Sequence, residues 1–403
     1  MLFDPLDPVT HRDPYPAYRA VRESERIYWH PTFRAWFLTH YADLLSVYKR
    51  PAQFQNAPRV DALFRDIPTE KRESFRELRS AFTLLPLFTD PPRHTRIRAL
   101  FIRAFVPRVI EPLRSEVEQL TRRFLNDVHD RGTFDVIQDF AFPLPMLILA
   151  RLMGVPEADR DRLRDWTSGV LQWFTSPIRP EGLTEIAQRS MLEMKDYFRV
   201  LVKSRGKKPG QDFISYLSAP DEGGDALTDD EVLVGLVQLL LAGHDTTTSL
   251  IGNGVLRLLQ NPDQLRRLRE EPELIETAVE ESLRYDPPVQ IASRTAGEDV
   301  SMEGVTIRKG DFVLLCIAAA NRDPARFPDP EIFDIGRSDN PHLAFGHRTH
   351  FCLGAPLARM QAQLAVLELI RRFPRLALGV KVEELDWRKD VLFRGLNRLP
   401  VRF

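Results

Sequence analysis

The chain has 403 residues, 43% of them hydrophobic and 28% charged, which is the profile of a globular protein with a substantial core. Its 56 lysines and arginines nearly cancel its 57 acidic residues, leaving a formal net charge of −1 and no reason to expect nucleic acid or an acidic membrane as partner. Two cysteines, Cys316 and Cys352, are too few for a disulfide-stapled secreted fold, and Cys316 within Phe312-Val313-Leu314-Leu315-Cys316 reads as a buried structural thiol.

The N-terminus, Met1-Leu2-Phe3-Asp4-Pro5-Leu6-Asp7-Pro8, has no basic start and no long apolar stretch, so no signal peptide is expected. Segments Ile27 to Trp29 and Ala35 to Leu38 predict a hairpin pair. A first helix is expected from Asp90-Pro91-Pro92, with Asp90 as N-cap and proline in the first turn, burying Ile97, Leu100, Phe101, Ala104 and Phe105. Lys207-Lys208-Pro209-Gly210 and Pro220-Asp221-Glu222-Gly223-Gly224 read as short loops. A second helix starts at Thr228, with Glu231 completing a capping box, and runs to about Gln260, where Asn261-Pro262 stops it. Its most apolar part, Val232 to Gly243, is too short to span a bilayer. A third helix carries Leu274, Ile275, Ala278, Val279 and Leu283 and ends before Pro287-Pro288. Strands are expected over Val300 to Ile307 and Asp311 to Leu315, flanking Arg308-Lys309-Gly310. A fourth helix starts just after Cys352 and runs to about Phe373. Leu396 to Phe403 has the look of an edge strand, with Pro400 in it. The sum is a mainly α protein with a minor β part. With no internal repeat, low-complexity tract or long linker, residues 1–403 are expected to form a single domain.

Four groups of residues carry chemistry. Cys352 sits at a helix entrance, in Phe345-Gly346-His347-Arg348-Thr349-His350-Phe351-Cys352-Leu353-Gly354. A helix N-terminus favours a thiolate, which serves as nucleophile or metal ligand; in isolation, a buried structural cysteine fits as well. Gly346 and Gly354 permit close approach of something flat or bulky. In the second helix, Ala242-Gly243-His244-Asp245-Thr246-Thr247-Thr248 places glycine, an acid and threonines where a buried helix prefers none of them. Such local conflicts tend to mark functional sites. Glu281 and Arg284 share a helix face, a spacing that in most proteins makes a surface ion pair. His94 and Arg98 also share a face, and two converging donors suit a carboxylate or phosphate.

Taken together, these runs resemble the cytochrome P-450 family, along nearly the whole chain and most strongly from Leu227 onward. The run from Phe345 to Gly354 is similar to the family's heme-binding loop, with one departure: Arg348 stands where the family usually has glycine. The resemblance implies a fold that holds heme b between a long central helix and the cysteine loop. It implies that Cys352 is the iron ligand and that the thiolate pushes electron density toward O–O cleavage, a point for which this family is the standing example. It implies that Asp245 and Thr246 relay protons to dioxygen, and that Ala242 and Gly243 border the oxygen site. Phe345 and Gly354 belong to the same loop, and His94, Arg98, Arg294 and His350 match contacts to the heme propionates. Glu281, Arg284 and Arg337 form the family's structural triad. The implied activity is monooxygenation, by hydroxylation or epoxidation, of a lipophilic small molecule such as those of secondary metabolism. Pocket walls are expected around residues 55 to 88 and 165 to 190, including Phe64, Leu84, Leu85, Leu87, Phe88, Leu171, Trp173 and Phe174. Gln290, Ile291, Ala292, Leu392 and Phe393 are expected near the heme.

The chain has neither a Rossmann-type glycine fingerprint nor a cysteine cluster for iron and sulfur, so electrons are expected from a separate ferredoxin and its reductase. Arg103, Arg108, Arg348 and Arg359 are candidates for a basic docking face, beside the plainer reading of scattered solvated arginines. The protein is expected to be a cytoplasmic monomer without a membrane anchor. A non-catalytic heme-binding redox or gas sensor is the alternative; it leaves Asp245 and Thr246 without a task.

Overall fold

The computed structural model describes residues 3–4, 7–176, 179–206 and 212–403. The expected loop Lys207-Lys208-Pro209-Gly210 lies outside the described residues, as does half of the N-terminal octet. The chain divides into two compact units, each assembled from separated stretches. The first comprises Met1–Phe54, Glu116–Pro145 and Asp245–Phe403, and the second Gln55–Ser115 and Met146–His244.

In the first unit the expected hairpin forms, Ile27–His30 pairing antiparallel with Ala35–Leu38. Ala35–Leu38 then pairs in parallel with Phe312–Cys316, which pairs antiparallel with Ile291–Ala296. Phe312–Cys316 is apolar throughout because both of its faces are covered. Val313 and Leu315 enter one core cluster with Leu38, Leu44 and Phe54, whereas Leu314 and Cys316 enter another with Phe3, Tyr18 and Phe37. Cys316 is wholly buried, and burial pushes its thiol up to about 12, as suits a structural cysteine.

Two expected strands are corrected. Val300 to Ile307 is a hairpin, not one strand: Val300–Met302 pairs with Val305–Ile307. The turn residues Glu303 and Gly304 have φ of 50° and 80°, the left-handed pair that a two-residue hairpin needs. Leu396 to Phe403 likewise divides. Leu396–Arg398 pairs with Asp386–Trp387, while Pro400–Arg402 is the middle strand of a sheet between Thr133–Asp135 and Ala377–Leu378. Pro400 is tolerated there because it stands first in the strand and contributes its carbonyl, which accepts the Gly379 N–H at 2.9 Å.

Three helices of this unit carry residues of interest. Asp245–Gln260 is buried continuously from Thr247 to Leu256. Ile275–Tyr285 stops at Asp286, whose buried carboxylate accepts from Tyr15, Arg257 and Arg394. Ala355–Arg372 begins at the cap Gly354, with Pro356 in its first turn.

The second unit is helical. Asp229–Gly243 opens with the expected capping box: Thr228 Oγ1 accepts the Glu231 N–H at 3.2 Å, and the Glu231 carboxylate accepts the Thr228 N–H at 3.0 Å. The same carboxylate receives Arg96 at 2.6 Å, tying in the helix Arg93–Ile102. Two expectations shift. The helix expected to run unbroken from Thr228 to Gln260 is interrupted at His244. Asp90 does not cap its helix, which begins at Arg93; its carboxylate instead accepts the N–H groups of Asn56 and Ala57 at 2.8–3.0 Å, while its carbonyl receives His94 N–H. Ala104 and Phe105 lie past the helix end.

Candidate active site

In the first unit, a tight loop presents Cys352. Leu343 N–H is held by the buried Asn321 side chain at 2.8 Å, Gly346 N–H by Leu343 O at 2.8 Å, and Cys352 N–H by Phe345 O at 2.8 Å. Gly346 has φ +71°, a left-handed backbone that disfavours any side chain, and a Cβ there would touch His350 O at 3.4 Å. Arg348 has φ +53°, so it adopts the left-handed backbone for which glycine is the easy choice. His350 ends the short 3-10 turn Arg348–His350.

Cys352 forms no disulfide and is partly open to solvent. It precedes the cap of helix Ala355–Arg372 by two residues, where unpaired helix N–H groups favour a thiolate. Around it Phe345, Leu353 and Gly354 are half-exposed and Phe351 is 38% exposed. A Cβ on Gly354 would meet nothing nearer than Cys352 Sγ at 4.0 Å. A partly exposed cysteine flanked by partly exposed apolar residues and by glycine fits a flat, hydrophobic, metal-bearing group such as heme.

The loop is anchored from behind. Glu281 and Arg284 are both wholly buried, bonding at 2.7 and 2.8 Å. Arg337 joins Glu281 at 3.2 Å, as expected of the triad. Arg284 also holds the carbonyls of Asn321, Pro330 and Ile332, and Arg337 those of Pro328 and Asp329. This is no surface pair: it fastens the segment leading to the cysteine loop.

Asp245 is the first residue of helix Asp245–Gln260 and, with Thr246, is half-buried. It bonds Arg388 at 3.0 Å. Burial disfavours the Arg388 charge, but Asp245 and Asp390 hold its pKa above the ordinary value. The sequence reading missed Arg388, which directly follows the strand Asp386–Trp387 and has no local signal. Arg294, nearly buried on the strand Ile291–Ala296, donates to Ser293 O and lies 5.4 Å from the Tyr48 ring centre. Gln290 N–H bonds Leu392 O at 2.8 Å, and Asp390 clamps the Leu392–Phe393 turn by accepting both N–H groups. Glu280 and Arg359 were also missed as a pair: Arg359 grips Glu280 at 2.6 and 2.7 Å and so is not a free docking cation.

In the second unit, His94 and Arg98 lie on helix Arg93–Ile102. Burial and the Arg98 charge pull His94 down to about 4, so it is neutral at pH 7. Ala242 is exposed and Gly243 half-exposed, at the end of a helix otherwise mostly buried. Gly243 has a packing reason besides: a Cβ there would sit 3.1 Å from Leu149. Of the expected pocket walls, Phe64, Leu85, Phe88, Leu171 and Trp173 are buried, Leu84 and Phe174 are half-buried and Leu87 is exposed. Arg103 donates to Pro220 O and Arg108 lies over Tyr216.

With this geometry in hand, the family model for Cytochrome P450 matches residues 20–391. The chain belongs to the cytochrome P450 family. It is 36% identical to the polyketide biosynthesis cytochrome P450 PksS of Bacillus subtilis, over 100% of this chain and 98% of that one. It is 40% identical to the cytochrome P450 monooxygenase PikC of Streptomyces venezuelae, over 97% and 91%. Among solved structures, P450BioI in complex with an acyl carrier protein ligated to hexadec-9Z-enoic acid matches with a TM-score of 0.90 at 37% identity, covering 98% of this chain and 100% of that one. The fold is thus that of a cytochrome P450, mainly α with a smaller sheet part. This P450 uses heme b and is a monooxygenase that places one oxygen atom from O2 into a lipophilic small molecule, with electrons from separate redox partners. The relatives give the sensor alternative no support. Among the described residues, no helix is long and apolar enough to cross a membrane.

Proposed function

We propose that the Cys352 thiolate would hold the iron of heme b and that Asp245 and Thr246 would carry protons to the oxygen-binding site. The observation that carries this reading is the cysteine loop itself: a partly exposed cysteine before a glycine-capped helix, flanked in sequence by partly exposed apolar residues and held through its N–H by Phe345 O. Heme b, when bound, supplies the binding and activation of dioxygen. The chain's residues hold the group and manage the protons. His94, Arg98, Arg294 and His350 would take the propionates, His94 as a neutral imidazole donor and the arginines as cations. Phe345 and Gly354 would lie against the group beside the thiolate, and Ala242 and Gly243 would leave room for oxygen. Asp245 holds a proton-carrying position fixed by Arg388, and the Thr246 hydroxyl passes the proton on.

The two units act as one catalytic domain, working as a monomer in the cytoplasm and fed by a ferredoxin and its reductase. Leu84, Leu87 and Phe174 suit a lipophilic substrate, and relatives named for polyketide biosynthesis or solved with a carrier-bound fatty acid point to chains of that kind. The deciding measurement is the difference spectrum of the reduced protein with carbon monoxide. The expected result is a Soret band at the long-wavelength position of thiolate-ligated heme, lost in Cys352→Ala; a band that survives this change overturns the ligand assignment. Asp245→Asn is expected to slow product formation while reductant is still consumed, and Arg388→Gln to do so more mildly.

A further inference from the structure

Glu280 and Arg359 belong to none of the motifs above, yet the contacts around them are closed and specific. Arg359 lies in the early part of helix Ala355–Arg372. Its Nε and Nη2 meet the two oxygens of Glu280 at 2.7 and 2.6 Å, a bidentate clasp that fixes the guanidinium in one orientation. His342 Nε2 stands 3.2 Å from the same carboxylate, while its Nδ1 accepts the Ala344 N–H. The Arg359 guanidinium lies 4.6 Å from the centre of the Phe345 ring. Phe345 is the residue whose carbonyl pins Cys352 N–H at 2.8 Å. The contacts therefore run from His342 through Glu280, Arg359 and Phe345 to the cysteine.

The charges agree with the geometry. Burial opposes the Glu280 carboxylate, but bonds from Arg359 and His342 bring it down to about 2. The bond from Glu280 lifts Arg359 above its ordinary value against its own burial, and Cys352 adds to that lift. Arg359 thus meets the Glu280 carboxylate on one side and the Phe345 ring of the cysteine loop on the other.

We propose that the Glu280–Arg359 pair is a positioning device that sets how much positive charge the Cys352 sulfur feels, and so how readily the heme it ligates accepts an electron. The inference rests on the assignment of Cys352 as ligand. A fixed cation stabilises the more negative, reduced form of a nearby centre, and an anion stabilises the oxidised form. Arg359 acts in the first sense. Glu280 acts in the second, and it also holds Arg359 in place.

The test is the reduction potential of the heme-loaded protein, read by spectroelectrochemical titration, together with its carbon monoxide spectrum. Arg359→Gln is expected to lower the potential, Glu280→Gln to raise it, the double variant to fall between them, and Arg359→Lys to stay near the parent. Opposite signs distinguish this role from a structural one, which would move both single variants the same way by loosening the loop. Equal signs, no shift in either, or a potential for Arg359→Lys as low as that for Arg359→Gln overturns the proposal. Should Arg359→Gln fail to take up heme, Glu280→Gln still decides: an unchanged or lowered potential overturns it. A parent protein lacking the thiolate-type band would instead overturn the ligand assignment on which the inference stands.

Discussion

Replacing Glu281 by glutamine changes one atom in a buried site, and its cost follows from the contacts. Oε1 accepts from Arg284 Nη2 at 2.8 Å and from Asp334 N–H at 2.9 Å. Oε2 accepts from Arg284 Nε at 2.7 Å and from Asn340 Nδ2 at 3.2 Å, and it stands 3.2 Å from Arg337 Nε, which donates to Oε1 at 3.4 Å. Every one of these neighbours is a donor, so whichever way the amide turns, its NH2 confronts at least two of them. The change also leaves Arg284, wholly buried, without a counter-charge. Removing one partner of such a pair costs about 3–5 kcal/mol, a large share of the roughly 5–15 kcal/mol that holds a domain folded. The measurement is the urea midpoint followed by intrinsic fluorescence, with heme release followed in parallel. Glu281→Gln should unfold at clearly lower urea and lose heme faster, because the same two arginines hold the carbonyls of the Pro328–Ile332 stretch. A loss below about 1 kcal/mol, the size of an exposed ion pair, would refute the reasoning.

Three further outcomes are expected. A Cβ on Gly235 would come 2.1 Å from the Phe101 ring on the helix that carries His94 and Arg98. Gly235→Ala gains about 1 kcal/mol of helix propensity but pays about 1–3 kcal/mol for overpacking. It should therefore melt lower than the parent, with partial recovery in the double variant with Phe101→Leu; a higher melting temperature for the single variant rules the clash out. Arg348→Gly relieves a left-handed backbone and should stabilise the protein by about 0.5–1 kcal/mol, read as a raised urea midpoint; a lowered midpoint contradicts it. The third concerns pH. His94 titrates near 4 in the folded chain against an ordinary value of 6.5, so the unfolded chain takes up the proton first. In heme-free protein this contribution is neutral above pH 6.5 and turns destabilising as the pH falls toward 4. His94→Asn should flatten the stability profile across that window; an unchanged slope refutes the assignment.

Some of this site was legible in the sequence because its signals are local. Thr228 and Glu231 cap a helix by spacing alone, and the cysteine loop is contiguous from Phe345 to Gly354. Other features are settled by partners far along the chain. Asp90 looks like a cap, but the N–H groups of Asn56 and Ala57 claim its carboxylate. Val300 to Ile307 alternates like one strand, yet Glu303 and Gly304 fold it back on itself. Pro400 suggested an edge, but proline is accepted in the middle of a sheet where only its carbonyl is needed. Arg388 reaches Asp245 across 143 positions and Arg359 reaches Glu280 across 79, distances over which no spacing rule operates.

The parallel pairing of Ala35–Leu38 with Phe312–Cys316 also constrains how the protein is made. Trp36 and Asp311, whose side chains bond at 2.8 Å, are separated by 275 residues. At roughly 5–20 residues per second, a ribosome that has finished the first strand needs between about 15 seconds and a minute to produce its neighbour. Throughout that interval the Ile27–Leu38 hairpin carries Phe37 and Leu38 with one edge unpaired. Faster translation of the middle third, or a chaperone that shields the hairpin, should raise the yield of folded protein without altering a single native contact.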